Sequence, residues 1–356
     1  MIAPLDWGLG HATRCIPIIK TLQSQGHTIV VATNKKQKEV LSIELDNIDF
    51  ILSEGYNIKY SKSRFLFGLK ILAQAPKILF KIYHEHQWLN KLIDEKKIDL
   101  VISDNRFGLF TKKIPCIFIT HQLTIKAPFI WLEKLIQKIN YAFINQFNQC
   151  WVPDVIGKNN LAGELSHPNL LLKTPISYIG ILSRFQQHIT LQKLYDVCVL
   201  LSGPEPQRTL LEEKLVEQIK ETKHLKIILI RGLPNSTTSL KNEEFISYNH
   251  LNQKELVDVI CSSEMIISRS GYTTIMELLS LQKKSIFIPT PGQTEQEYLA
   301  NYLQDKKYCL SYTQNKFDFR EALNKAKNFN FKTAENLSFS DDKVIENIDL
   351  LLQNIN

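Results

Sequence analysis

His11, Asp104 and His121 each follow a short apolar run that reads as a β-strand, at residues 2–3, 98–103 and 115–119. In parallel sheets, ligands collect outside the carboxyl ends of the strands. These three side chains are therefore candidates for chemistry. A histidine titrates near neutrality, which suits a general base, and an aspartate behind it can hold the imidazole in one tautomer. The ordinary alternatives are a capping or core histidine and a turn aspartate. A second set lies in residues 264–301, EMIISRSGYTTIMELLSLQKKSIFIPTPGQTEQEYLAN. This stretch reads as strand, glycine turn, helix, strand and a polar loop that opens another helix. A glycine turn between strand and helix aims backbone N–H groups and the positive helix end at one point, an arrangement most often used for phosphate. Here that turn is Arg269-Ser270-Gly271. Glu277, one turn into the helix, can reach a ribose diol. The ordinary reading of Thr274-Ile275-Met276-Glu277 is a capping box. Ser202-Gly203-Pro204, after the apolar run 198–201, is a second glycine turn of the same kind.

The elements that must position these residues alternate between strand and helix. Residues 6–14, DWGLGHATR, follow the first short strand. Gly8 and Gly10 permit a tight turn, a helix opens near Ala12, and residues 28–32 form the next strand. This βαβ opening predicts an α/β protein with parallel sheets. The loop lacks the third glycine of the dinucleotide fingerprint. Residues 174–187 have a proline, a glycine and weak periodicity, so the domain boundary is placed there. The expected division is a Rossmann-like domain over 1–178, a second over 179–340 and a terminal helix over 341–356.

Length and composition suit two soluble domains of ordinary size: 356 residues, 44% hydrophobic. No apolar run approaches the ~18–20 residues that span a bilayer. Pro4 and Asp6 so near the start do not read as a signal peptide. The six cysteines are scattered without a C-x-x-C pair, as in reduced cytosolic proteins. A cytoplasmic location is therefore expected. The net charge of +7 is unevenly shared: residues 1–175 carry 22 Lys+Arg against 14 Asp+Glu, and residues 176–356 carry 21 against 22. No RNP, zinc-finger or helix-turn-helix signature accompanies the basic half, so nucleic acid is not an expected partner. Glu295-x-Glu297 lacks histidine partners, and no metal site is expected. Neither a P-loop, a G-x-S-x-G elbow nor an H-E-x-x-H motif is present.

Residues 55–84 contain no acid and six bases, Lys59, Lys62, Arg64, Lys70, Lys77 and Lys81, among many large apolar residues. Such a mixture suits an interfacial helix on an anionic membrane. The commoner reading is a domain helix with solvated lysines. A peripheral contact with the inner face of the plasma membrane through residues 59–83 is the expectation carried forward. Residues 129–147 have a similar apolar content.

The run 268–301 resembles the donor-binding segment of GT-B glycosyltransferases, closest to the MurG type, and DWGLGHATR is similar to their N-terminal glycine loop. The resemblance covers nearly the whole chain and is weakest between these segments. It implies the GT-B fold, with two Rossmann-like domains whose parallel sheets face across a cleft and a terminal helix that packs back on the first domain. It also implies transfer of a sugar from a nucleotide-diphosphate sugar, with a UDP-sugar expected, to a hydroxyl acceptor, which can be lipid-linked. In that family the matching residues hold the donor: Arg269, Ser270, Gly271, Thr274 and Glu277 for the nucleotide, then Gln293, Gln296 and Glu297 for the sugar. The family usually has two adjacent glutamines where this chain has Gln296-Glu297. Ser202 and Gly203 would serve the diphosphate, with Arg269 or Arg208 adding positive charge, and the loop at Leu251 would hold the base. His11 would be the base of an inverting, metal-independent displacement, positioned by Asp104, with Gly8, Gly10, Arg14 and His121 on the acceptor side. No cofactor beyond the UDP-sugar co-substrate is implied. Two other functions use the same residues differently. A nucleotide-sugar hydrolase or epimerase would turn over without acceptor, and a non-catalytic partner of another transferase would not need His11 and Glu277.

Overall fold

The computed structural model describes residues 1–53, 55–56, 64–127, 129–169, 172–185, 192–222, 224–234, 236–238, 240, 243–334, 337 and 339–353, and for residues 64–73 and 75 the backbone alone. The chain divides into two compact units, Met1–Arg184 with Ser338–Asn356, and Phe185–Leu337. The first unit runs β1 (Ile2–Pro4), α1 (Leu9–Ser24), β2 (Val30–Thr33), α2 (Lys35–Glu44), β3 (Asp49–Leu52), α3 (Arg64–Lys96), β4 (Val101–Asp104), β5 (Cys116–Ile119), α4 (Ile130–Ile144), β6 (Gln149–Val152) and β7 (Ile176–Tyr178). The second runs β8 (Tyr195–Leu200), α5 (Gln207–Ile219), β9 (Ile227–Ile230), β10 (Ile246–Tyr248), α6 (Gln253–Cys261), β11 (Ser263–Ser268), α7 (Tyr272–Ser280), β12 (Lys284–Phe287), α8 (Thr294–Asp305), β13 (Cys309–Ser311) and α9 (Phe319–Asn328). The chain then returns to the first unit as α10 (Asp341–Gln353).

Both sheets are wound the same way. Among the described residues the first has the order β3-β2-β1-β4-β5-β6-β7 and the second β10-β9-β8-β11-β12-β13, with parallel pairing throughout. In each, the chain starts in the middle, winds outward to one edge, then returns and winds toward the other. The winding reverses between β1 and β4 in one sheet and between β8 and β11 in the other. Such a switch point leaves a crevice at the carboxyl ends of the two strands, because the connections from them leave in opposite directions.

The central strands are apolar on both faces because helices cover both faces. Val101, Ile102, Ile117, Phe118 and Ile119 in the first sheet, and Val199, Ile228, Leu229, Ile266 and Ile267 in the second, are fully or almost fully buried. The separation of the units falls six residues beyond position 178. Ile179, Ile181 and Leu182 are fully buried, the Ile179 N–H donates to the Val152 carbonyl at 3.0 Å, and Gly180 bridges Phe339. Residues 179–184 thereby complete the first unit. On its return, α10 packs on α1, with the Thr21 hydroxyl donating to the Asp341 carboxylate and Asn347 Nδ2 to Ser177 Oγ at 2.9 Å. Among the described residues no helix is long and apolar enough to cross a membrane.

Candidate active site

The first crevice is organised by a buried carboxylate. Pro4 and Asp104 are paired at the ends of β1 and β4. After β1 the chain turns at Gly8, whose φ of +84° favours glycine, and enters α1. Gln37, reaching over from α2, fixes this loop by donating to the carbonyls of Leu5 at 2.7 Å and Gly8 at 3.1 Å. His11 therefore lies in the first turn of α1, with Nδ1 3.0 Å from Asp104 Oδ2. Asp104 has no solvent exposure. It also accepts from Arg14 Nε at 2.8 Å, from Arg14 Nη2, and from Asn105 Nδ2 at 3.3 Å. Burial alone would raise the Asp104 pKa, but the Arg14 guanidinium and His11 outweigh it and hold the carboxyl well below the usual carboxylate range. An ionised Asp104 accepts a hydrogen bond from Nδ1–H of His11 and leaves the lone pair on Nε2, the tautomer a general base requires. The His11 side chain retains 17% exposure.

Arg14 and His121 do not present themselves to an acceptor as expected. Arg14 is 2% exposed and committed to Asp104, and its Nη1 lies 3.2 Å from His121 Nδ1. His121 is 3% exposed, with Nε2 3.5 Å from Gln122 Nε2. The structure makes them the inner end of a chain His121–Arg14–Asp104–His11. Arg14 neutralises Asp104, so the carboxylate orients His11 without leaving a bare charge in the core. The carbonyl of Gly10 accepts from the Thr13 hydroxyl at 3.3 Å inside the same helical turn.

The second crevice is built from backbone. Leu200 and Ser268 are paired at the ends of β8 and β11, and a glycine turn follows each. Gly271 caps α7 with φ −69°, and a Cβ placed on it would meet nothing within 4 Å. The turn thus presents an uncovered backbone at the positive end of a helix. No side chain caps α7, so Thr274 and Glu277 form no capping box: the helix begins at Tyr272, and both residues lie inside it. The capping box of this unit is instead Asn252 with Glu255, at the start of α6. Glu277 is buried and Thr274 half-buried. Ser202 is half-buried, and Gly203 has φ +106°. Beside Gly203 stands Thr290, whose Oγ1 would lie 3.8 Å from a Cβ built there. Thr290 is 2% exposed, and Oγ1 has no hydrogen-bond partner among the described residues. This buried hydroxyl at the crevice was not among the residues singled out from sequence. Its only signal there is a threonine between two prolines. Leu251 is buried immediately before the Asn252 cap.

Several expected donor contacts are committed inside the protein. Ser270 Oγ donates to the Gln296 carbonyl at 2.8 Å, Gln296 Oε1 accepts from the Thr290 N–H at 2.9 Å, and Gln296 Nε2 donates to Gln293 Oε1 at 2.6 Å. Glu297 Oε1 accepts from the Gly292 N–H at 3.3 Å. The polar residues 293–297 therefore fasten the loop after β12 onto the Arg269-Ser270-Gly271 turn. Arg269 is 1% exposed and donates to four oxygens of the protein, so its donors are turned inward. Arg208 is paired with Glu205 and Glu212.

The same two halves carry two matches to known families. The model of the glycosyltransferase family 28 C-terminal domain matches residues 199–348, and that of glycosyl transferase family 1 matches residues 6–156. The chain carries the two domains of a GT-B glycosyltransferase. It is 25% identical over 317 residues to the UDP-N-acetylglucosamine--N-acetylmuramyl-(pentapeptide) pyrophosphoryl-undecaprenol N-acetylglucosamine transferase of Clostridium perfringens (strain SM101 / Type A), covering 85% of this chain and 82% of that protein. The fold is shared with spinosyn forosaminyltransferase SpnP, at TM-score 0.62 and 12% identity over 99% of this chain and 98% of that one. It is also shared with MurG of Acinetobacter baumannii, at TM-score 0.54 and 13% identity over 99% of each chain. In this glycosyltransferase each switch-point crevice has one kind of equipment: an oriented histidine in the first unit, and glycine turns with a buried hydroxyl in the second. Among the described residues no group of three His, Cys, Asp or Glu is placed to hold a metal ion.

Proposed function

We propose that this glycosyltransferase moves a sugar from a UDP-sugar, with UDP-N-acetylglucosamine as first candidate, to a hydroxyl of a lipid-linked acceptor, with inversion. The observation that carries this reading is the bond from His11 Nδ1 to the buried Asp104, which leaves Nε2 as the proton acceptor. His11 Nε2 takes the acceptor's hydroxyl proton. The oxygen attacks the anomeric carbon from the side opposite the diphosphate, a new C–O bond forms, the bond to the diphosphate oxygen breaks, and UDP leaves. The negative charge that develops on the leaving group is met by the backbone N–H groups and helix ends at Gly203 and Gly271, with the Thr290 hydroxyl beside them. Glu277 serves the ribose and Leu251 the base. UDP-N-acetylglucosamine is put first because the Clostridium perfringens relative carries it in its name.

The acceptor side of the reading draws on exposed apolar side chains of the first unit. Of the stretch 59–83, residues 59–63 lie outside the described residues. Further along α3, Leu79, Phe80 and Tyr83 are exposed, as are Phe129, Ile130, Trp131, Leu135 and Ile139 at and along α4. Lys134 and Lys138 stand exposed on the same helix. Ile78 and Ile82 of α3 and Phe143 of α4 meet in one small apolar cluster, which brings the two helices together. Apolar side chains flanked by lysines suit the surface of an anionic bilayer, so a cytoplasmic, peripheral location belongs to the proposal.

The test is release of UDP from UDP-N-acetylglucosamine with and without an undecaprenyl-pyrophosphoryl glycopeptide acceptor. Acceptor-dependent release that is lost in His11→Ala supports the transfer. Equal release without acceptor, yielding free sugar, replaces it with hydrolysis. Sedimentation with phosphatidylglycerol vesicles that persists in the double variant Ile130→Glu/Trp131→Glu would sink the membrane contact.

A further inference from the structure

Among the described residues Arg269 has no acidic partner, unlike Arg208 and Arg231 in the same unit. It follows the last residue of β11 at the switch point, is 1% exposed, and forms no ion pair among the described residues. Its neighbours Arg208 and Arg231 share Glu212. Arg269 instead spends its donors on neutral oxygens from three separate segments. Nη1 donates to the carbonyls of Ile288 at 3.1 Å and Pro289 at 3.2 Å. Nη2 donates to the Gln207 carbonyl at 2.7 Å and to Gln314 Oε1 at 2.7 Å. Nε is buried without a partner. Burial brings its pKa down to about 10, so the group keeps its proton at neutral pH.

Two of these segments carry crevice residues. Gln207 opens α5, just after the turn at Ser202-Gly203, and Pro289 immediately precedes Thr290. A buried cation costs free energy unless an opposite charge offsets it. Carbonyl dipoles solvate the guanidinium but do not neutralise it. The missing counter-charge has a natural source in an anion bound at the crevice, since charges in a partly buried site interact over several ångströms.

We propose that Arg269 is a positioning residue with a second, electrostatic duty: it sets the spacing of the two loops around the crevice, and its uncompensated charge selects a diphosphate at that crevice without touching it. This rests on the nucleotide-sugar reading above and deepens it. The phosphates gain from a positive field that a nucleoside alone does not feel. The measurement is therefore a ratio of affinities, UDP over uridine, by calorimetry on the full-length protein. Each variant is first checked for cooperative thermal unfolding.

Arg269→Gln removes the charge and keeps a polar side chain. It should lower the UDP-to-uridine ratio by about tenfold, the size a unit charge exerts through a partly buried site. Arg269→Lys keeps the charge and loses most of the four bonds. It should weaken both ligands together and leave the ratio unchanged. If Arg269→Gln weakens UDP and uridine equally, the residue is a staple alone and the electrostatic duty is overturned. Should the glutamine variant not fold, Arg269→Met, which also removes the charge, takes its place: a lowered ratio supports the proposal and an unchanged ratio overturns it. Failure of the wild-type protein to bind UDP would instead overturn the nucleotide-sugar reading, and this inference with it.

Discussion

The two crevices are made by the same winding and furnished in opposite ways. Between β1 and β4 the polar contacts run from side chain to side chain: His11, Arg14 and His121 converge around one buried Asp104. Between β8 and β11 most run to backbone: Ser270 to the Gln296 carbonyl, Gln296 to the Thr290 N–H, and Arg269 to three carbonyls, with side-chain bonds from Gln296 to Gln293 and from Arg269 to Gln314. Under the proposed function, the difference follows from the task. Moving a proton needs one nitrogen with a fixed tautomer, and that takes charged side chains locked together. Gripping a diphosphate needs main-chain N–H groups that the ligand can approach closely, and that takes glycines with polar side chains folded away behind them. Substitutions at the first crevice should therefore strike rate or stability and spare donor binding, while those at the second should do the reverse.

The largest break expected is His11→Ala. Losing the base should lower kcat by about 10²–10⁴-fold, while UDP binding by calorimetry stays as in the wild type. A comparable loss of UDP affinity would mean that the first unit also holds the donor, and the contrast between the crevices would fail.

Next comes the buried pair. Arg14→Met leaves Asp104 charged and buried without its principal partner, which should cost about 3–5 kcal/mol in urea unfolding. The pH dependence has a definite sign. The folded-state pKa of Asp104 is depressed. Its contribution to stability is therefore fully present above the ordinary carboxylate pKa near ~4, and it is lost as pH falls through the depressed value. Unfolding curves between about pH 5 and pH 2 should show this acid loss in the wild type. It should be smaller in Arg14→Met, where the depression is removed. A wild-type stability that does not change over this range would count against the pair.

What the sequence disclosed divides along similar lines. His11, Asp104 and the turns at Ser202-Gly203 and Ser270-Gly271 were legible because each is a local pattern, a strand followed by a characteristic turn. The alternation of apolar runs with helical periods likewise announced two parallel sheets. The role of Arg14 was not legible. Its partner lies 90 residues away, and an arginine in the first turns of a helix reads as solvent-facing until the sheet folds β4 beside β1. Gln37 and Thr290 were hidden for the same reason, since their significance lies in non-local contacts. The Thr274-to-Glu277 pattern was ambiguous in sequence. It has the residue types of a capping box, and only the start of α7 at Tyr272 shows that it is out of register by three residues. Residues 179–184, short of periodicity, read as part of the second domain, yet their burial comes from the edge of the first sheet and the returning tail.

Glu277→Ala tests the second crevice at intermediate strength. If Glu277 accepts from a ribose diol as proposed, removing its carboxylate should weaken UDP by about tenfold, the worth of a hydrogen bond to a charged group, with kcat at saturating donor little changed. An equal loss for UDP and for pyrophosphate would place the residue away from the ribose.

The smallest effect is the sharpest test, because it compares two glycines of one unit. Gly232 has φ +69°, and a Cβ there would lie 2.4 Å from the Leu201 carbonyl oxygen. Gly232→Ala should thus destabilise the unit whether or not any donor exists. Gly271 has φ −69° and open space where its Cβ would go. For the fold alone, Gly271→Ala is close to neutral. Alanine is the poorer helix cap but restricts the unfolded chain, and these opposing effects should leave stability within about 0.5 kcal/mol. The cost arises only if a ligand uses that open space. A fewfold weaker UDP affinity in Gly271→Ala at unchanged thermal stability would show that the turn is kept bare for the donor. Unchanged affinity would mean that the bare backbone at α7 is incidental, and the second crevice would then have to grip the diphosphate through Gly203 and Thr290.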